Sequence, residues 1–422
     1  MRENPVNKRV VVIGAGIVGV CCAAFLQREG YAVTLIDRLP PGQGCSYGSA
    51  AGVVVCAIEP PIHYRTLTKI PAWLIDPLGG LTIRWRYLPK VLPWLLAAGH
   101  AAMPDRVKAI TEARAALCFH ALSDHRNLLA DAGASDMLRV VDGIKLFDTE
   151  AQWRADEPGR RIQAGHGFSP RQLTPGEVNE LEPDVARDFH CGRFHGGWYH
   201  VTNPYKIVRA IAENVARQGG KILEDDVQNL VCEGRRVRSI RLAGRGEMPV
   251  DNLVIAAGAY SNQLSSQLGT KVMLEAERGY HLTIPRPGIV VGRTVTWAPH
   301  MGAMVPLDEG LRIAGTDEFA GLEAPPNWRR ADVLWKMGRR VFPALRDLDD
   351  TVLRWMGRRP GTPDSLPIID QAPGMANAWF AFGHSHLGLT WGPTTGRLVA
   401  ELVAGKSPSM DMKPYRALRP GV

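Results

Sequence analysis

The chain has 422 residues, of which 45% are hydrophobic and 22% charged, with a formal charge of +8. These proportions exclude a disordered or collagen-like protein and leave room for two or three domains around a large core. The mild positive excess reads first as a solvated surface and second as attraction to anionic lipid or acidic ligands.

The first informative stretch is "VVVIGAGIVGV", from Val10 to Val20. Residues Arg9 to Ile13 read as a buried parallel strand. Gly14, Gly16 and Gly19 complete GxGxxG: the first serves a tight turn, the second a close approach of pyrophosphate to backbone, the third close packing of helix on strand. The helix runs to about Arg28, with Gly30 as its stop. A second strand, "YAVTLID", ends at Asp37, whose carboxylate can accept ribose hydroxyls. The order strand, helix, strand, acid predicts a dinucleotide site and disfavours NADP, without separating NAD from FAD. No second GxGxxG follows, so one dinucleotide is expected. Lys8 and Arg9 before an apolar run resemble a signal peptide, but the patterned glycines argue against one.

From Pro71 to Leu129 the pattern is mainly helical. Trp73, Trp85 and Trp94 among Arg84, Arg86 and Lys90 suit a core helix with a solvated rim, or else an interfacial helix. "DGIKLFDT" reads as a strand, "LTPGEVNELEP" as a helix capped by Thr174, and "NPYKIVRAIAENVARQGG", opening on Asn203, as another capped amphipathic helix. A meander follows, with Arg235, Arg236, Arg238 and Arg241 on a solvated face. It returns to a buried strand, "NLVIAAGA". Between 271 and 356 come the strands "GYHLTI", "RTVTWA" and "LRIAGT" and the helix "NWRRADVLWKMGRRVF". The chain closes with "RPGTPDSLPIID", the strand "AWFAFG", the loop "HSHLGLTWGPT" and a last helix. Cysteines 21, 22, 45, 56, 118, 191 and 232 show no CxxC and no zinc spacing, so free thiols in a reducing compartment are expected and no metal site is.

The opening unit, "NLVIAAGAYS", "RGYHLTI", "IAGTDEFAG", "RRPGTPDSLPIID" and "GHSHLGLTWGPTTGRLVAELVAGK" occur in a specific order. Together they resemble the D-amino-acid dehydrogenase branch of the FAD-dependent D-amino-acid and glycine oxidase superfamily, over nearly the whole chain. The resemblance implies non-covalent FAD and oxidation of a Cα–N bond by hydride transfer to flavin N5. It assigns FAD contacts to Gly14, Gly16, Ile17, Val18, Gly19, Asp37 and Arg38, and to Ser46, Ser49, Ala50 and Gly52 in "GCSYGSAAGV". Ala257 and Gly258 follow the buried strand in the same role. Gly383, Leu387, Gly388 and Thr390 would cover the flavin, and a helix after Gly392 would point its N-terminus at it.

Among catalytic candidates, Arg359 matches the arginine that holds a substrate carboxylate, for which a guanidinium fork is suited. Tyr280 could donate to that carboxylate or wall the pocket. His386 stands where relatives with "GHGTLG" differ, which leaves substrate choice open. His384 would brace the loop, His281 and Tyr47 are weaker pocket candidates, and Trp297 or Trp391 could line a cavity. No separate base is evident, so amine deprotonation is expected to set the pH profile.

The implied fold class is α/β: a Rossmann-type FAD-binding domain and a second α+β substrate domain with a mostly antiparallel sheet. The first would comprise residues 1–80, 200–270 and 357–422, the second 81–199 and 271–356. The leading reading is oxidative deamination of a D-amino acid, with D-proline or hydroxyproline types as candidates and a quinone or other acceptor. The alternatives are a glycine or sarcosine-type secondary amine oxidase using oxygen, and a flavin-bearing electron-transfer subunit without its own substrate. Nucleic acid is not an expected partner. A cytoplasmic location is expected, with peripheral contact at the inner face of the membrane as the alternative.

Overall fold

The structure, a computed structural model, describes residues 8–67, 79–298, 300, 302–347 and 349–421. The apolar run Arg9–Ile13 forms the middle of a six-stranded sheet. Its order is Lys221–Glu224, Ala32–Asp37, Arg9–Ile13, Asn252–Ile255, Ala378–Phe382, Ile368–Gln371. The first five strands are parallel and the last is antiparallel to its neighbour. From Arg9–Ile13 the chain crosses to one side, and the strand on the other side comes from far along the sequence. Such a reversal opens a crevice at the carboxyl ends of the two strands.

Helix Ile17–Arg28 covers this sheet and packs on helix Gly388–Val403. Gly396 permits the close approach, since a Cβ there would lie 2.6 Å from the Cys21 carbonyl carbon. The last helix begins at Gly388, ahead of the expected start after Gly392, and runs through Pro393. Proline has no N–H for the carbonyl four residues back. Here that carbonyl, Leu389 O, is bonded instead by His125 Nε2 at 2.8 Å. His125 is fully buried, and burial holds its pKa down at about 4.

The other large sheet is mostly antiparallel, as expected. Its main path runs Leu353–Gly361, Glu275–Ile284, Gly310–Phe319, Gly302–Leu307, Val295–Trp297, Ile144–Phe147, Cys191–Phe194, Arg171–Leu173, with Leu81–Ile83 paired beside Gly310–Phe319. Two of its pairings are parallel. Helix Arg329–Val341 packs its apolar side on one face of this sheet, around Leu282, Ile284, Ile313 and Leu334. The region read as helical contains helices Leu88–Ala101 and Pro104–Ala132. Trp94 is buried and donates to Gly361 O at 3.1 Å, whereas Trp85, Leu92 and Leu96 are exposed, and Trp73 lies outside the described residues. The caps on Pro175–Leu181 and Pro204–Arg217 form as read, on Thr174 and Asn203. The meander arginines are exposed on and beside the Arg236–Leu242 strand. Among the described residues no helix is long and apolar enough to cross a membrane.

Candidate active site

A cavity of about 1120 Å³ runs from the crevice of the parallel sheet to the open face of the antiparallel one. At the crevice end the backbone is exposed by glycine. Gly14 has φ +108°, and a Cβ on it would lie 2.3 Å from Ala256 O. Glycine alone tolerates both constraints cheaply. Asp37 accepts from Ala15 N at 2.7 Å and Leu39 N at 3.0 Å, which fixes its carboxylate at the rim. Arg38 lies 3.8 Å above the Tyr260 ring, a flat surface beside the crevice. Ser46 Oγ accepts from Ile17 N at 2.9 Å and ties the following loop to the helix N-terminus.

Of the residues expected to contact cofactor, Gly14, Gly16, Ile17, Val18, Asp37, Arg38, Ser46, Ser49, Ala50, Gly52, Ala257, Gly258, Leu387 and Gly388 line this cavity. Three expected contacts do not line it, for separate reasons. Gly19 is a packing residue, because a Cβ there would lie 1.7 Å from Gly14 O. Gly383 turns the chain at φ +85° against Thr362. Thr390 Oγ1 accepts from Val54 N at 3.0 Å and donates to Gly52 O at 3.3 Å, which pins the loop strand from behind. The exposed glycine backbone, the helix N-terminus and the rim carboxylate together fit a dinucleotide.

At the other end, strand register brings three ionisable side chains together and a turn adds a fourth. Glu277 stands opposite Arg359 on one neighbouring strand, and Gly279 stands opposite Asp317 on the other. Alternation puts Glu275, Glu277 and Gly279 on one face. The Arg359 guanidinium lies flat over Gly279, where a Cβ would come within 2.1 Å of Nη2. The Glu277 carboxylate lies over Gly361 in the same way, with a Cβ there only 2.1 Å from Oε1. Two glycines therefore make room for two opposite charges.

Arg359 Nη1 donates to Asp317 Oδ1. His386, on the turn Ser385–Leu387, sits between the carboxylates, with Nε2 3.4 Å from Asp317 Oδ1 and Nδ1 3.7 Å from Glu277 Oε2. Burial opposes ionisation of Asp317, but the charges of Arg359 and His386 outweigh it and hold its carboxyl below the ordinary range. Burial pushes Glu277 the other way, well above that range, against the pull of His386 and Arg359.

Tyr280 meets one of its two expectations. It is among the residues that line the cavity, and its ring also packs into the core beside Leu282 and Leu334. Its hydroxyl donates to Glu318 Oε2 at 2.5 Å and accepts from Asn327 N at 2.9 Å. That engaged hydroxyl is not free for a substrate carboxylate. His281 stacks on Trp355 and Tyr47 packs near Tyr205; neither lines the cavity. Trp297 does, whereas Trp391 is buried in the core. His384 braces its loop through Thr395 Oγ1 at 2.8 Å.

Backbone strain gathers around the same cavity. Among the described residues, the non-glycine residues with positive φ are Ala51, Thr316, Ser365 and Ser385. Three line the cavity, and Ala51 stands between two residues that do. Each costs of order 1–3 kcal/mol, which concentrates at functional sites. Ser385, at φ +46°, occupies the place of the glycine in "GHGTLG", which explains the glycine of that pattern.

Glu277 and Asp317 were not singled out from sequence. The available signal was acids at alternate positions, Glu275 and Glu277, in the fully buried strand "EAERGYHLTI".

A family model described as FAD dependent oxidoreductase (DAO) matches residues 9–402. The chain is 35% identical to a D-amino-acid oxidase of Bradyrhizobium diazoefficiens, over 98% of this chain and 99% of the relative. It is 29% identical to a D-amino acid dehydrogenase of Paramagnetospirillum magneticum, over 96% and 97% of the two chains. Among solved structures, L-proline dehydrogenase from P. horikoshii superposes with a TM-score of 0.73 at 19% identity, covering 99% of this chain and 98% of that one. The glycine crevice, the strand order and these matches agree: the chain belongs to the DAO family of FAD-dependent oxidoreductases.

Proposed function

We propose that the chain oxidises a D-amino acid at its Cα–N bond. The observation that carries this reading is Arg359, whose guanidinium lies over Gly279 and lines the same cavity as the Gly14 crevice. A planar fork of donors facing a cavity suits a carboxylate, and Asp317 occupies only one of its nitrogens. Asp317 then acts as a positioning residue that fixes the plane of the fork. The glycine crevice, Asp37, Arg38 and the Ser46–Gly52 loop would hold FAD, which would supply the hydride acceptor. Anchoring the carboxylate restricts how Cα can turn, which is where orientation lowers the barrier. The N-terminus of helix Gly388–Val403 adds a positive dipole end beside the cavity.

The D configuration is favoured by the names of both relatives. A quinone or other carrier is the proposed acceptor; the 35% identical relative being named an oxidase favours oxygen as the second reading. Turnover on pools of D-amino acids, D-imino acids, glycine and L-amino acids tests the substrate. Oxygen uptake measured beside reduction of a soluble quinone tests the acceptor. Turnover confined to the L-pool would overturn the assignment of configuration.

A further inference from the structure

Two carboxyl groups, those of Asp317 and Glu277, stand beside the Arg359 guanidinium, so a lone carboxylate meets acids as well as its partner. A zwitterion gains twice, once at the guanidinium and once at an acid. Asp317 is already bonded to Arg359 and approached by His386. Glu277 is different: it is 7% exposed, it lines the cavity, and among the described residues no hydrogen bond reaches its Oε2. The charged and titratable groups facing it are Arg359 from one neighbouring strand, Asp317 from the other, Glu275 on its own strand, and His386 and Cys45 from the loops. His386 approaches Oε2 to 3.7 Å, beyond hydrogen-bond reach. A buried carboxylate oxygen without a donor is rare in a folded protein and calls for a partner.

We propose that Glu277 receives the substrate's α-ammonium and takes its proton, so that the amine is neutral when hydride leaves. The inference rests on the amino-acid reading above. The N–H bond of R–CH(NH3+)–COO− breaks, its proton goes to Glu277 Oε2, and the nitrogen keeps the electron pair. That pair then forms C=N as the Cα–H bond breaks and its two electrons pass, as hydride, to FAD, the oxidant. Water converts the resulting iminium ion to a 2-oxo acid and ammonium. Arg359 and Glu277, opposite each other on adjacent strands, thus divide the two ends of a zwitterion between them.

The test uses the FAD-loaded protein with Glu277→Gln, and Glu277→Asp as the conservative variant. Calorimetry compares 2-methylalanine, which has both charges but no Cα hydrogen, with 2-methylpropanoate, which lacks the ammonium. Glu277→Gln should weaken 2-methylalanine about 10- to 100-fold and leave 2-methylpropanoate within about threefold. The ascending limb of kcat against pH should move up by about one unit or more, with partial return in Glu277→Asp. Equal affinity for 2-methylalanine in wild type and variant, or an unmoved limb, overturns the role of Glu277. A wild-type protein that binds neither ligand and is reduced by no amino acid would instead overturn the amino-acid reading.

Discussion

At the crevice end of the cavity, Gly14 and Gly16 present bare backbone, and Asp37 and Arg38 bring charge only at the rim. At the sheet end, Arg359, Asp317, Glu277 and His386 crowd over Gly279 and Gly361. The first end is made by local conformation and depends on residues a few positions apart. The second is made by register between strands distant in sequence. The two should therefore fail differently: a change at the crevice should cost cofactor and fold together, whereas a change at the sheet end should cost turnover in a protein that stays folded and yellow.

The largest expected effect is at the crevice. Gly19→Ala places a Cβ 1.7 Å from Gly14 O, in helix-to-strand packing that cannot yield without moving the turn. We expect a loss of about 3 kcal/mol or more and of bound flavin, read by thermal unfolding and by absorbance after gel filtration. A variant that keeps its flavin and melting temperature would break the comparison.

Arg359→Ala should leave flavin bound and lower kcat/KM roughly 100- to 1000-fold, since it removes the carboxylate's partner and strips Asp317 of its guanidinium. Steady-state kinetics on the best substrate, with flavin content as the control, checks this.

Acid should act on the fold as a whole. Burial holds His125 at about 4 and His384 at about 3, and His195 and His281 shift the same way. Unfolded histidines titrate near 6.5, so between these values the unfolded chain binds more protons, and stability falls as pH drops below about 6.5. Glu277, raised in the folded state, works in the opposite direction over the same window. Glu59, Glu182, Glu275 and Asp370 are raised by burial as well, but the histidine shifts are the larger and leave a net loss of about 1–2 kcal/mol or more between about pH 7 and pH 5. Urea midpoints at the two pH values decide it; a midpoint that rises on acidification contradicts the burial of these rings.

The smallest effect on turnover is expected from Tyr280→Phe. Its hydroxyl serves Glu318 and Asn327 N on the far face of the strand, so the change should cost stability by about 1–2 kcal/mol and move kcat/KM less than about threefold. A large fall in kcat/KM at unchanged stability would return the hydroxyl to the substrate side.

These two ends also mark what the sequence made legible. The strand–turn–helix around Gly14, the acid at Asp37 and the caps at Thr174 and Asn203 are local, and each was readable from neighbouring residues. The identity of Arg359 came from a motif. What it faces did not, because Asp317 and Glu277 reach it only through pairing among three strands. Tyr280 shows the same limit: polar residues fall on both phases of this fully buried strand, Glu275, Glu277 and His281 on one and Arg278 on the other, so alternation alone does not say that the Tyr280 hydroxyl turns to Glu318. The last helix starts ahead of Gly392 because His125, far away in sequence, satisfies the carbonyl that Pro393 leaves open within it.

The most direct measurement is the anaerobic flavin spectrum of wild type and Arg359→Ala, titrated with the D-amino acid that turns over best. The account predicts a yellow protein whose flavin bleaches with saturable dependence on substrate. In the variant, which remains yellow, the same bleaching should need roughly 100-fold more substrate or fail altogether. A purified protein that holds no flavin, or a variant that is bleached as readily as wild type, would contradict it.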